Sequence, residues 1–182
     1  MDREKKVDHN VLVSLPTCLI HCILSDWVEV ESVIRLDVVL AGSHKFHSHM
    51  LEILKSDQFY ITKVKQVKYS PPKCANSRML SWLTLRQVKV LSLELHEKCV
   101  TKELELYLQK YGRHVQRAHP NDDLNQHDRR ISKQSFLFAK YCSNLSYFVY
   151  HGCTYIRDDS IWRTLSNNAH LECLDLYGTL MQ

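Results

Sequence analysis

Four short apolar triplets recur in the second half of the chain, each spaced as positions one, four and six. They are Val88, Leu91 and Leu93; Val115, Ala118 and Pro120; Leu145, Phe148 and Tyr150; and Leu171, Leu174 and Leu176. Their first members step from 88 to 115, 145 and 171, so the period stays between 26 and 30 residues. A unit of that length holds one short strand and one helix. Such a unit cannot bury its own apolar face, so neighbouring units must stack and share a core. Pro120 weakens the second unit, because a residue without an N–H breaks a strand or confines it to an edge.

The segments between the triplets read as helices. Thr101 can cap Lys102 to Tyr111, with Leu104, Leu106, Tyr107, Leu108 and Tyr111 apolar and Gly112 as the stop. Ser132 to Cys142 carries Phe136, Leu137 and Ala139 in similar fashion, and behind an Asp158 or Asp159 cap Ser160 to Leu165 is expected to turn Ile161, Trp162 and Leu165 inward. The N-terminal part is different. Leu15, Leu19, Ile23 and Trp27 recur every four residues behind Ser14 and Pro16, a second helix is expected over Glu31 to Leu40 with Val33, Leu36, Val39 and Leu40 on its packed side, and a third over His47 to Lys55. Residues 57–79 read as a connection. Tyr60, Thr62, Val64 and Val67 have strand character, whereas Pro71-Pro72 and the polar run after them read as a linker; a strand and loop within one continuous domain is the equal alternative. The expected organisation is therefore a flexible 1–10, a helical module over 11–56, a connection over 57–79, and a repeat array of about four units over 80–182, the last incomplete. Without a visible capping unit after Leu176, that end is expected to fray or self-associate, or the chain to be a shortened relative of a longer protein.

Composition excludes several function classes. An apolar fraction of 45% supports a real core, and a net charge of +4 without basic runs gives no nucleic-acid footprint. Seven cysteines, an odd number with no CxxC pair, favour reduced thiols and a cytoplasmic or nuclear location. No stretch reaches the ~18 apolar residues of a membrane span. Lys5-Lys6 before Val11 to Leu24 imitates a secretory leader, but Pro16, Thr17 and His21 fit a folded helix better. His44, His47 and His49 lack a carboxylate or cysteine at ligand spacing, and Cys18 and Cys22 with His21 sit in an apolar helix where cysteine acts as a small hydrophobe. With four glycines in the chain, phosphate-cradling loops are absent. No metal, cofactor, nucleic acid or membrane is expected.

Two family resemblances give these units a meaning. Cys142-Ser143-Asn144-Leu145, followed by Phe148, Tyr150, Cys153, Ile156 and Asp158, resembles the cysteine-containing leucine-rich repeat, and His170 to Leu176 opens the next unit. That resemblance implies that Cys153 is buried in the turn after its strand. Leu15-Pro16, Leu19, Ile23-Leu24, Trp27-Val28 and Val33 to Leu36 resemble an F-box, although Ala41 to Phe46 departs from the pattern that usually follows. Together they imply an α/β fold, a short N-terminal helical F-box-like module followed by an irregular leucine-rich-repeat array of parallel short strands and helices. The implied function is a non-enzymatic adaptor. Leu15, Pro16, Leu19, Ile23 and Leu36 would bind the Skp-type adaptor of a cullin–RING ubiquitin ligase. The open strand face, at Val90, Ser92, Glu94, Arg117, His119, Asn121, Tyr147, Val149, His151, Cys173, Asp175 and Tyr177, would hold a protein substrate. Glu94, Tyr147, His151, Asp175 and Tyr177 are the principal candidates among these. A repeat scaffold without the ligase link, and a small enzyme of another family, are the alternatives.

Overall fold

A computed structural model describes residues 15–65, 75–96, 101–121, 132–149 and 158–176. The flexible 1–10 expected from the sequence lies outside these residues, as do Val67, Tyr150, His151, Cys153, Ile156 and Tyr177. Over the described residues the chain is mixed α/β with a five-stranded, all-parallel sheet whose strands follow one another in sequence order, β1-β2-β3-β4-β5. The strands are β1 (Tyr60–Lys65), β2 (Lys89–His96), β3 (Arg117–Asn121), β4 (Tyr147–Val149) and β5 (Cys173–Asp175). Between them run α4 (Ala75–Arg86), α5 (Thr101–Tyr111), α6 (Ser132–Tyr141) and α7 (Asp158–Asn167). A parallel pair needs a crossover, and crossovers are right-handed. When every crossover also advances one strand in the same direction, the helices fall on one side of the sheet. Here α4 packs on α5, α5 on α6, and α6 on α7. On the opposite side of the strands Arg117 and Tyr147 are exposed and Ser92 is half-buried, while Glu94 and Val149 are buried.

Register defines the repeating unit. Val64 pairs with Leu93, Leu93 with Ala118, Ala118 with Phe148, and Phe148 with Leu174. Three residues earlier the same offsets align Ile61, Val90, Val115, Leu145 and Leu171. The first four residues of each set are almost wholly enclosed, and Leu171 and Leu174 at the far end are half-buried. One backbone ladder runs through equivalent positions. Gln116 N–H donates to the Leu91 carbonyl (2.9 Å), Ser146 N–H to Gln116 (2.8 Å), and Glu172 N–H to Ser146 (2.8 Å).

This register corrects two expectations. The triplet of the first expected unit is Val90, Leu93 and Leu95, two residues later than Val88, Leu91 and Leu93. Val90, expected to point outward, is fully buried. The connection expected over 57–79 carries β1, a full member of the sheet, and the start of α4, whose Met79, Leu80 and Leu83 are buried. The reason is pairing. Tyr60 to Lys65 gains a ladder with β2 over its whole length, which no local pattern reveals. Pro120 does not displace β3 to an edge, since it aligns with Leu95 in the third strand of five. Among the described residues the β3–β4 ladder covers only Arg117 and Ala118, ahead of the missing N–H.

The helix-to-strand turn repeats as well. Gln87, Gly112, Cys142 and Asn168 each stand three residues before the first core residue of their strand. Gln87 has φ 61°, a left-handed conformation that is uncommon for a residue with a side chain. Gly112 is required for space, because a Cβ there would lie 2.5 Å from the Tyr141 carbonyl oxygen. Asn168 is buried and supplies three hydrogen bonds. Its Oδ1 accepts from Leu145 N–H (2.6 Å), and its Nδ2 donates to the carbonyls of Thr164 (2.8 Å) and Cys142 (3.2 Å). The side chain thus does the work of a backbone turn, joining one unit to the next.

The N-terminal helices are α1 (Thr17–Cys22), which widens into a π-type turn over Ile23–Trp27, α2 (Val30–Leu40) and α3 (His44–Lys55). Pro16 pre-sets the first turn, its carbonyl accepting the N–H groups of Leu19 (2.9 Å) and Ile20 (3.1 Å). The π-type turn lies on β1, where Thr62 Oγ1 donates to the Ser25 carbonyl (2.8 Å). Helices α2 and α3 both touch α4. Ile20, Leu24, Val30, Val33, Met50, Ile53 and Leu54 join the same core as the strands. At the junction Asp37 is buried, accepting from Trp82 Nε1 (2.9 Å) and Arg86 Nε (2.9 Å), with His47 Nε2 at 3.4 Å. These helices therefore cap the first strand–helix unit and share its interior.

Candidate functional site

Side chains on the open side of the sheet form two rows fixed by the register. The first runs Lys63, Ser92, Arg117, Tyr147 and Cys173. The second runs Glu94, His119, Val149 and Asp175, with Val149, which is buried, facing Asp175 across the β4–β5 pair. Alternation along each strand turns these residues away from the buried Val64, Leu93, Ala118 and Phe148. Of the expected partner-binding residues, the register brings Glu94, Tyr147 and Asp175 onto this one face. His151 and Tyr177 lie outside the described residues.

Their environments differ sharply. Glu94 is only 8% exposed and is taken up within the face, its carboxylate meeting Lys63 Nζ at 3.4 Å and His119 Nδ1 at 3.9 Å. It holds neighbouring side chains in place and is not presented to a partner. Tyr147 is 42% exposed and Arg117 is exposed beside it. The adjacent Cys173, with Asp175 contributing, raises the Tyr147 hydroxyl above its ordinary value, so it remains a protonated donor. Asp175 is half-buried. Arg117, Ser92 and Lys63 are thus more telling members of the face than Glu94. The alternation of polar residues between core positions was the signal available for finding them.

The second candidate surface is on the N-terminal helices. Leu15 and Leu36 are half-buried and pack against the chain's own core, so they serve the interior. Pro16 is exposed, Leu19 is 44% exposed and Ile23 is half-buried. Trp27 is 83% exposed, and Val38 and Val39 of α2 are also largely exposed. Val39 was expected on the packed side of its helix. The helix docks instead through Val30, Val33 and Asp37, which rotates Val39 outward.

Other chemistry is sparse. Among the described residues no three His, Cys, Asp or Glu side chains converge as a metal-binding group. Cys18 and Cys22 carry free, exposed thiols, so they are not the small buried hydrophobes expected of that helix. Cys142 is enclosed, and burial pushes its thiol far above its ordinary value. A cleft of about 400 Å³ opens between α4 and α5, lined in part by Leu85, Glu103, Leu106 and Lys110, on the helical side away from both rows. No helix among the described residues is long and apolar enough to cross a membrane. Compared with known proteins, the chain matches no family model, no curated protein and no solved structure.

Proposed function

We propose that this chain is a non-enzymatic protein-interaction adaptor, a short leucine-rich-repeat array capped by an F-box-like helical module, and that it acts as a substrate receptor of a cullin–RING ubiquitin ligase. One observation carries the reading. Parallel strands in sequence order, with stacked helices on one side, leave a continuous strand face bearing Arg117, Tyr147 and Asp175 for a guest protein. The spacing of Cys142, Leu145 and Phe148, repeated at Asn168, Leu171 and Leu174, supports naming the units leucine-rich repeats.

The Skp-type adaptor would dock on the N-terminal helices. Leu19 and Ile23, together with Pro16 and the exposed Trp27, are the anchors, while Leu15 and Leu36 support them from inside. An anchor of this kind contributes about 1–3 kcal/mol. A purified Skp-type adaptor should be retained by the full chain in a pull-down. Leu19→Asp should abolish that retention while leaving ligands of the strand face bound, because Leu19 lies outside the shared core. Retention unaffected by Leu19→Asp, or no retention by the folded wild type, would refute the ligase link. A protein that then still binds guests through Tyr147 is a repeat scaffold. No cofactor, metal, nucleic acid or membrane enters this function, and a cytoplasmic or nuclear location is part of the same proposal.

A further inference from the structure

The two rows of the strand face differ in charge. The first row, Lys63, Ser92, Arg117, Tyr147 and Cys173, holds hydrogen-bond donors and no carboxylate. Five strands at about 4.8 Å spacing make this row roughly 19 Å long. The acidic residue nearest its basic end, Glu94, is in the second row and is already engaged by Lys63 and His119. Arg117 is exposed and forms no ion pair among the described residues. On its two sides stand Ser92, half-buried, and Tyr147, whose hydroxyl stays protonated. Arg117 therefore stands between Ser92 and Tyr147 on adjacent strands, and among the described residues of this row it is the cation that no carboxylate engages, Lys63 being paired with Glu94. Guanidinium groups grip carboxylates through paired, charge-assisted hydrogen bonds.

We infer that the guest of this face is an acidic, extended polypeptide segment. One of its Asp or Glu side chains sits on Arg117 between Ser92 and Tyr147, and neighbouring acidic residues extend toward Lys63. The inference rests on the strand face being the partner-binding surface.

The test is selection of random 12-residue peptides, displayed on phage, against the immobilised full chain, followed by fluorescence polarisation with the enriched peptides. Enrichment of Asp and Glu is expected, with affinity falling as salt rises. Arg117→Gln should weaken binding by about tenfold or more, Arg117→Lys by less, and Glu→Gln in the peptide by a similar factor. Arg117 is exposed, so both variants should keep the wild-type circular dichroism. Neutral or basic peptides that still lose affinity with Tyr147→Asp would overturn the acidic guest and leave the strand face as the binding surface. Peptides indifferent to both Arg117→Gln and Tyr147→Asp would overturn the inference together with the reading of the face. Failure to enrich any peptide would also count against an extended acidic guest.

Discussion

Replacing Asn168 by alanine isolates the contribution of one side chain to the stacking of two units. Asn168 is 3% exposed, and its amide joins three backbone groups that belong to the turns around α6 and α7. Truncation leaves the Leu145 N–H without its acceptor beside a side chain that is itself fully buried. A stranded buried donor costs about 1–3 kcal/mol. The Cys142 carbonyl loses its donor too, at a smaller cost because under-satisfied carbonyls are better tolerated. Thr164 loses a partner at the end of its helix, where carbonyls are commonly exposed. The sum is about 3 kcal/mol. With a urea m-value of about 2 kcal/mol/M, the unfolding midpoint should fall by about 1.5 M. Asn168→Asp separates the two halves of the amide. It keeps an acceptor for Leu145 but turns a carboxylate toward two carbonyls, so it should be no milder than alanine. Asn167→Ala is the control. Asn167 is exposed and donates once, to the Ala139 carbonyl (2.8 Å), so it should cost less than 1 kcal/mol. A loss below 1 kcal/mol for Asn168→Ala, or one equal to that of Asn167→Ala, would refute the claim that this side chain fastens adjacent units.

Three further predictions follow from buried or partly buried groups. Asp37→Leu should cost about 2–4 kcal/mol in urea unfolding by stranding Arg86 and Trp82, and adding Arg86→Met should recover at least half of it. Full additivity of the two substitutions would show that the pair does not couple the N-terminal helices to α4. Iodoacetamide at pH 8 should label Cys18 and Cys22 in the native protein and spare Cys142 until urea is added, as read by peptide mass spectrometry. Burial, with Arg113 and Lys89 nearby, holds His114 below its ordinary value of 6.5. The unfolded chain then binds that proton more readily, so stability is fully present above 6.5 and declines as the pH falls from there through the lowered value. His114→Gln should flatten this part of the curve of urea midpoint against pH, and an unchanged slope would refute the assignment.

Much of this architecture follows from the chain's own pattern, and the exceptions have a common cause. Helices α5, α6 and α7 were legible as elements because their apolar residues recur with the helical period and their boundaries carry Gly112, Cys142 and Asp158 or Asp159, but Trp162 and Leu165, expected to turn inward, are exposed. The alignment of Val115, Leu145 and Leu171 was legible for the same reason, since each strand there offers a single apolar triplet at the right spacing. The first unit was not. Between 88 and 95 the chain is apolar at Val88, Val90, Leu91, Leu93 and Leu95, so two triplets fit the spacing equally well. Only the ladders to β1 and β3 choose the later one, because register belongs to a pair of strands and never to one strand alone.

The same limit governs the candidate site. Alternation put Ser92, Glu94, Arg117, Tyr147 and Val149 on the open face, of which Arg117 and Tyr147 are exposed and Val149 is buried. It could not tell that Glu94 is enclosed by Lys63 and His119 while Arg117 stands uncovered, since those distances arise between strands about 30 residues apart in the chain. Nor could it tell that Leu15 and Leu36 turn into the core while Trp27 and Val39 turn out. A helix's periodicity specifies which residues share a face. Which face is covered depends on what packs there, and for α2 that was decided by α4, through a carboxylate at Asp37 that meets Trp82 and Arg86 some 45 to 49 residues away.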